Sequence, residues 1–153
     1  MNNIIFHQGS IEELDLVRPL WEKLNEVHFA STIYFKEWYE NMSWQDRKRM
    51  LIDKSKDLHL EYASDGVNEQ IIGYCISTVA KESKVGEVDS IFVDESYSKK
   101  GLGEELFSRA IKWLDDQNVE TQKLSVSVGN ENVLGFYKRF NFYPLHLILQ
   151  RKK

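Results

Sequence analysis

The chain has 153 residues, of which 42% are hydrophobic, and a formal net charge of −4. This length fits one globular domain over residues 1–153, with a single core. The mild acidity disfavours nucleic acid as the main partner and favours a cationic ligand. The N-terminal stretch MNNIIFHQGSIEEL lacks a basic start and a long apolar run, so we predict a cytoplasmic protein with no signal peptide and no membrane span.

The histidines and the single cysteine predict neither a metal site nor a disulfide. His7, His28, His59 and His146 are scattered without HExxH spacing, and no CxxC pair occurs. Cys75 lies in the apolar run IIGYCIS, where we expect a buried small residue rather than a nucleophile.

The first predicted elements are a strand at IIFHQ and the helix that follows it. Ser10 and Glu13 form the capping-box pattern SIEE, in which each residue hydrogen-bonds the backbone of the other. Apolar residues then recur at helical spacing from Ile11 to His28. The pattern therefore predicts a first helix over this stretch.

The stretch 29–44, FASTIYFKEWYENMSW, is rich in aromatic residues but has no clean period. Two interpretations have equal weight: the aromatic side chains line a substrate pocket, or they cover the core. Ser43 and Asp46 then predict the capped start of a second helix, which runs to Lys54.

The second half of the chain alternates between strands and helices. Runs typical of strands occur, in chain order, at LHLEYAS, IIGYCISTVA, VGEVDSIFV, KLSVSV and YPLHLILQ. The turn SDGVNEQ joins the first two of these runs into an antiparallel hairpin. Helical spacing marks residues 102–114 and the stretch ENVLGFYKRF. This order predicts a mixed α/β fold with an antiparallel sheet that gains a parallel crossover late in the chain.

The turn SKKGLG stands between the strand VDSIFV and the helix that starts near Leu102. Gly101 and Gly103 permit unusual backbone angles and a close approach of ligand. The helix start adds free N–H groups and the positive end of its dipole, which together can bind phosphate oxygens. A plain turn is the commoner role of such a glycine pair. Neither GxxxxGK[ST] nor GxGxxG is present, so the chain has no P-loop and no Rossmann fingerprint.

After the strand EVDSIFV, the turn SKKGLG and its helix come a strand ending at Asn130 and a helix carrying FYKRFNF. In this order the stretch 87–143 resembles the GCN5-related N-acetyltransferase (GNAT) family. The resemblance implies a single-domain α/β fold with a mixed, mostly antiparallel sheet of six to seven strands flanked by about four helices. It also implies a splayed pair of strands that holds acetyl-CoA, and no metal.

The family's pyrophosphate loop, (Q/R)xxGx(G/A), corresponds to the six residues from Ser98 to Gly103. Ser98 stands where Gln or Arg is usual, but the backbone N–H groups that do most of the binding are kept. Lys99 and Lys100 add a screened attraction for phosphate. The resemblance assigns acetyl-CoA binding to Ile91, Phe92, Val93, Ser98, Lys99, Lys100, Gly101, Leu102, Gly103, Glu104, Asn130 and Tyr137.

The family's second signature is matched by Asn130, Phe136, Tyr137, Asn141 and Phe142. Asn141 stands where glycine is typical, and asparagine tolerates the left-handed backbone at a helix end. Val133 replaces the usual alanine.

The resemblance also implies catalytic roles. An alkylammonium has a pKa of about 10.4, so a base must accept a proton before the amine attacks the thioester directly. Glu87 is the candidate base, directly or through water, with Asp89 as the alternative and a strand-edge salt bridge as the non-catalytic role. Tyr137 resembles the tyrosine that meets the leaving sulfur, as an acid or a hydrogen-bond donor; its alternative role is packing. A bulge, which the family has in this strand, would keep both acids off the face that carries Ile91 and Val93.

The acceptor pocket is expected to be walled by His28, Tyr34, Phe35, Trp38 and Tyr39. Acidity and aromatic side chains suit a small cationic amine such as a polyamine, an aminoglycoside or an amino acid. A protein N-terminus or lysine remains an alternative acceptor, and the resemblance allows a homodimer. Two further functions stay open: a non-catalytic acyl-CoA-binding module, and a protein that binds ATP at the same turn.

Overall fold

A computed structural model describes residues 3–97 and 101–153 of the chain. Its strands are β1 (Ile4–Gly9), β2 (Ser55–Asp65), β3 (Ile71–Ala80), β4 (Val85–Val93) and β5 (Thr121–Leu124). Its α-helices are α1 (Arg18–Ser31), α2 (Lys36–Asn41), α3 (Trp44–Lys54), α4 (Leu102–Asp115) and α5 (Leu134–Lys138). Short 3-10 helices cover Ile11–Val17, Glu95–Tyr97 and Glu131–Val133.

The five strands form one sheet in the order β1-β2-β3-β4-β5. The first four pair antiparallel as a meander, and β4 pairs with β5 in parallel through the α4 crossover. The prediction of an antiparallel sheet that gains a late parallel crossover is confirmed.

Helices cover both faces of the sheet and create two apolar clusters. On one face α1 and α3 pack on β2 and β3, with Trp21, Trp44 and Tyr74 among the buried residues. On the other face α4 contributes a buried stripe that includes Leu106 and Phe107. The stripe follows the three- and four-residue spacing seen in the sequence, since that spacing puts apolar residues on one side of a helix.

The predicted helix starts are confirmed, with one difference. The Ser10 N–H donates to Glu13 Oε1 at 2.9 Å, and the Asp46 N–H donates to Ser43 Oγ at 3.1 Å. The first helix is a 3-10 helix up to Val17 and an α-helix only afterwards. Pro19 lies at the start of the α-helical part, where its missing N–H costs little.

The prediction of six to seven strands and about four helices is wrong, because the structure has five strands and five α-helices in the described residues. The stretch YPLHLILQ forms no strand. Its apolar pattern is that of a strand, but an extended segment becomes a strand only where another strand hydrogen-bonds to it. The run KLSVSV is a strand only up to Leu124, where its pairing with β4 ends.

The helix α2 inside the aromatic stretch was not predicted, and it has six residues without an apolar stripe of helical period. No helix in the described part of the chain is long and apolar enough to span a membrane.

Candidate active site

A cavity of about 330 Å³ opens where β4 and β5 separate. Their parallel pairing ends at Val88 opposite Leu124, and the two chains diverge beyond that pair. Beyond Val88, no described strand pairs with the far edge of β4. Residues of every layer line the cavity: Trp21, Leu24, Asn25, His28, Trp38, Tyr39, Met42, Arg47, Met50, Val88, Asp89, Ser90, Ile91, Leu124, Ser125, Val126, Ser127, Asn130, Val133 and Tyr137.

A β-bulge in β4 lies at the point of divergence. Ile76 of β3 faces Ser90, and the next residue, Ser77, faces Val88, so Asp89 is the extra residue. Past the bulge Ile91 packs with the α4 cluster. The bulge thus resets the register, as the resemblance to the GNAT family implied.

The two candidate bases share one ammonium group. Lys54 Nζ lies 3.0 Å from Glu87 Oε1 and also hydrogen-bonds Asp89 Oδ1. Thr78 Oγ1 donates to Asp89 Oδ2 at 2.6 Å. Burial raises the pKa of Asp89, while Lys54 and Thr78 act in the opposite direction. Asp89 lines the cavity, whereas Glu87 is not among its lining residues.

Tyr137 lines the cavity from α5. Its ring packs against Phe107 of α4, with 5.3 Å between ring centroids, and Phe136, Phe140 and Phe142 surround the same Phe107. This aromatic cluster fixes α5 on α4 and so fixes the tyrosine. Burial, and secondarily the charge of Cys75, raises the pKa of the Tyr137 hydroxyl to about 12. Tyr137 is therefore neutral at physiological pH and can donate a hydrogen bond.

The helix α4 starts after a left-handed glycine and close to the end of β4, since a Cβ at Gly103 would lie 3.7 Å from Val93 Cγ2. Gly101 has φ +73°, and no atom lies within 4 Å of where its Cβ would be. Within the described residues, the Glu105 N–H donates to Gly101 O at 3.1 Å. The N–H groups at the start of a helix generally lack partners inside that helix and so can meet an anion.

Three of the predicted phosphate-binding residues, Ser98, Lys99 and Lys100, lie outside the described residues. The Leu102 side chain is buried in the core, so its backbone alone can meet a ligand. The Glu104 carboxylate lies 3.3 Å from Arg139 Nη1 on α5.

The loop after β5 closes the cavity against α1. Gly129 has φ +101°, and a Cβ there would lie 2.2 Å from Ser31 O, so only glycine fits. Ser127 shares a 2.5 Å hydrogen bond with the Tyr39 hydroxyl of α2. Asn130 and Val133 consequently reach the cavity.

The other predicted positions are distributed as follows. Phe92 packs toward α1 and α3, and Val93 toward α4. Asn141 has φ +67°, which confirms the left-handed helix end.

Comparison with known proteins identifies the family. The model of the acetyltransferase (GNAT) family matches residues 21–142. The chain belongs to the acetyltransferase (GNAT) family. An uncharacterized N-acetyltransferase of Methanocaldococcus jannaschii is 34% identical over 67 residues, which are 44% of this chain but 29% of that relative.

Solved structures have the same fold. A candidate acetyl transferase of Pyrococcus furiosus superposes with a TM-score of 0.78 at 14% identity, over 99% of this chain and 100% of the other. Aminoglycoside N-acetyltransferase AAC(6')-Iy, solved in complex with CoA, superposes with a TM-score of 0.64 at 13% identity, over 100% of this chain and 96% of the other. The chain therefore belongs to a family of acetyltransferases, and that family uses acetyl-CoA.

The aromatic stretch of this GNAT chain contributes to the cavity only in part. His28, Trp38 and Tyr39 line it, whereas Tyr34 and Phe35 do not. Tyr34 is exposed. In a helix, the position of a residue decides which way its side chain points. Trp38 and Tyr39 face the cavity because they lie on α2, a helix that the sequence did not predict.

Sequence reasoning missed Arg47 and Lys54 in this GNAT site. Both lie on α3, which is distant from β4 in the sequence but contacts it in the folded chain. Arg47 Nη2 donates to Asp89 O at 3.0 Å, and Lys54 pairs with Glu87 and Asp89 of β4. The sequence offered one signal, which is that two acids on a half-buried strand need a cation nearby.

Proposed function

We propose that the protein transfers the acetyl group of acetyl-CoA to the primary amine of a small cationic acceptor. The observation that carries this proposal is the cavity between the diverging β4 and β5, which holds Tyr137 and the free edge of β4 together. An edge strand with unpaired N–H and C=O groups can accept an extended amide chain as if it were another strand.

The residues present fit acetyl-CoA at two places. The backbone of Ile91, Phe92 and Val93 would pair with the amide-containing arm along the free edge of β4. The N–H groups from Gly101 to Glu104 would hold the diphosphate, because the space beside Gly101 is open and the helix dipole is positive there. The bound cosubstrate supplies an activated acetyl thioester.

The proton steps are assigned to three side chains. We assign removal of the ammonium proton to Glu87, through water, since its carboxylate is partly accessible and adjoins the cavity-lining Asp89. Lys54 bridges the two acids and opposes the rise that burial causes in the pKa of Asp89. The Tyr137 hydroxyl donates a hydrogen bond to the leaving sulfur.

A cationic acceptor is favoured by the net charge of −4 and by the aromatic rings of Trp21, Trp38 and Tyr39 in the cavity wall. Aromatic faces attract ammonium groups. Desolvation by such walls also helps the amine lose its proton.

Purified protein, acetyl-CoA and a broad panel of amines would test the proposal through the release of free thiol. We expect release above the hydrolytic background with at least one small amine. Tight CoA binding with no turnover across the panel would favour a non-catalytic acyl-CoA module. Turnover with peptides alone would favour a protein N-acetyltransferase, and thermal stabilisation by ATP but not CoA would contradict the cofactor.

The two glycines of the turn should respond differently to alanine. Gly101→Ala places a side chain at φ +73°, which costs about 1–2 kcal/mol, and it alters the N–H cradle; we expect CoA affinity to fall at least about tenfold. Gly103→Ala is the matched control, because the nearest atom, Val93 Cγ2, is 3.7 Å from the added Cβ and the family pattern accepts alanine there. Calorimetric titration with CoA measures both. Equal losses would show that the cradle is not at Gly101.

Neutral replacements of Glu87 and Asp89 distinguish a catalytic base from a residue that stabilises the fold. We expect Glu87→Gln to lower kcat at saturating amine by about 10²-fold or more, with little change in melting temperature. Asp89→Asn should mainly destabilise, because the buried carboxylate accepts from Lys54 and Thr78. Initial rates against pH, with thermal melts of the same samples, check both. Full activity of Glu87→Gln would move the base elsewhere.

A further inference from the structure

Arg47 brings an uncommitted guanidinium group to the cavity wall. It lies on α3 and lines the cavity. One of its five N–H donors bonds Asp89 O at 3.0 Å. The described residues place no carboxylate within ion-pair distance of it, unlike Arg49 on the same helix, which pairs with Asp46 at 3.5 Å.

The acidic side of the cavity is already neutralised. Asp89 is the only acidic residue among the described lining residues, and both its oxygens are occupied by Lys54 and Thr78. Burial lowers the pKa of His28, which leaves that ring neutral near pH 7. The described part of the cavity wall therefore has one guanidinium without a carboxylate partner, that of Arg47, and no carboxylate without a partner.

We propose that the acceptor amine also carries a carboxylate, which binds Arg47. This inference rests on the proposed function and narrows its substrate class to small amino acids. A guanidinium can hold a carboxylate through two parallel N–H···O bonds. The ammonium of the same molecule would face the aromatic wall, so that both charges of the zwitterion are matched.

Pairs of acceptors that differ only in the carboxylate test this inference. Glycine against glycinamide, and 4-aminobutyrate against butylamine, isolate the anion at nearly constant size. We expect kcat/KM to favour at least one carboxylate over its partner by about 10- to 100-fold. Arg47→Met should abolish that preference and Arg47→Lys should restore part of it, while CoA affinity stays unchanged. Arg49→Met is the matched control on the exposed side of α3.

These outcomes distinguish the proposed function from the carboxylate inference. If no amine at all is acetylated, the proposed function fails. If glycinamide and butylamine, which lack the carboxylate, are acetylated as well as glycine and 4-aminobutyrate, or if Arg47→Met keeps the preference, only the carboxylate inference fails. A preference for phosphoethanolamine over both amino acids would also overturn it.

Discussion

Tyr137→Phe should lower kcat by about 10²-fold or more and leave CoA affinity unchanged. The substitution removes one hydroxyl and keeps the ring that packs on Phe107 at 5.3 Å between centroids. Stopped assays of thiol release at saturating substrates measure kcat, and calorimetric titration measures CoA binding. A loss in kcat without a loss in binding separates a catalytic role from packing, since a packing role would lower stability instead.

The pKa of Tyr137 indicates how it acts. A free thiol has a pKa of about 8.5, and that of Tyr137 is raised to about 12. Full transfer of the phenolic proton to the thiolate would be uphill by about three and a half pKa units. The hydroxyl therefore stabilises developing charge on sulfur by a hydrogen bond more than it donates a proton outright.

The raised pKa of Tyr137 also determines the pH dependence that we expect for kcat. Tyr137 stays protonated below about pH 11, since its folded pKa is about 12, so it should produce no alkaline decline in kcat over the usual assay range. Tyr34→Phe, which changes an exposed tyrosine outside the cavity, is the matched control. An alkaline limb near pH 9 that disappears in Tyr137→Phe would contradict the neutral hydrogen-bond donor.

Local patterns predicted the framework of the site because they encode local structure. The capping serines and the stripe on α4 each act within a few residues, and the structure has them in place. The bulge in β4 was expected from the resemblance to the GNAT family, and the structure places it at Asp89.

Contacts between distant elements were not predictable from such patterns. Arg47 and Lys54 read as ordinary charges of a polar helix, and only the packing of α3 on the sheet brings them to Asp89. The prediction of a strand at YPLHLILQ was wrong because it rested on a local pattern alone. A strand also needs a neighbour, and no described residue hydrogen-bonds the backbone of this segment.

Lys54→Met should destabilise the protein by about 3 kcal/mol at pH 7, because it leaves buried acid charge without its cation. The Asp89 side chain is only 1% exposed, and Glu87 Oε1 loses its 3.0 Å partner as well. Lys84→Met is the matched control, because the Lys84–Glu120 pair is exposed at 3.9 Å and such pairs contribute under about 1 kcal/mol. Urea unfolding followed by circular dichroism measures both variants.

The effect of Lys54→Met should shrink in acid. Burial already raises the pKa of Asp89 above its usual value, and a raised folded pKa means that its stabilising protonated form is lost as pH rises through that pKa. Removing Lys54 takes away the main charge that lowers this pKa, so the variant loses more stability between pH 5 and pH 7 than the wild type does. The difference between the two unfolding free energies is therefore expected to be larger at pH 7 than at pH 5. A difference that is constant, or larger at pH 5, would show that Asp89 is not the group that Lys54 keeps ionised.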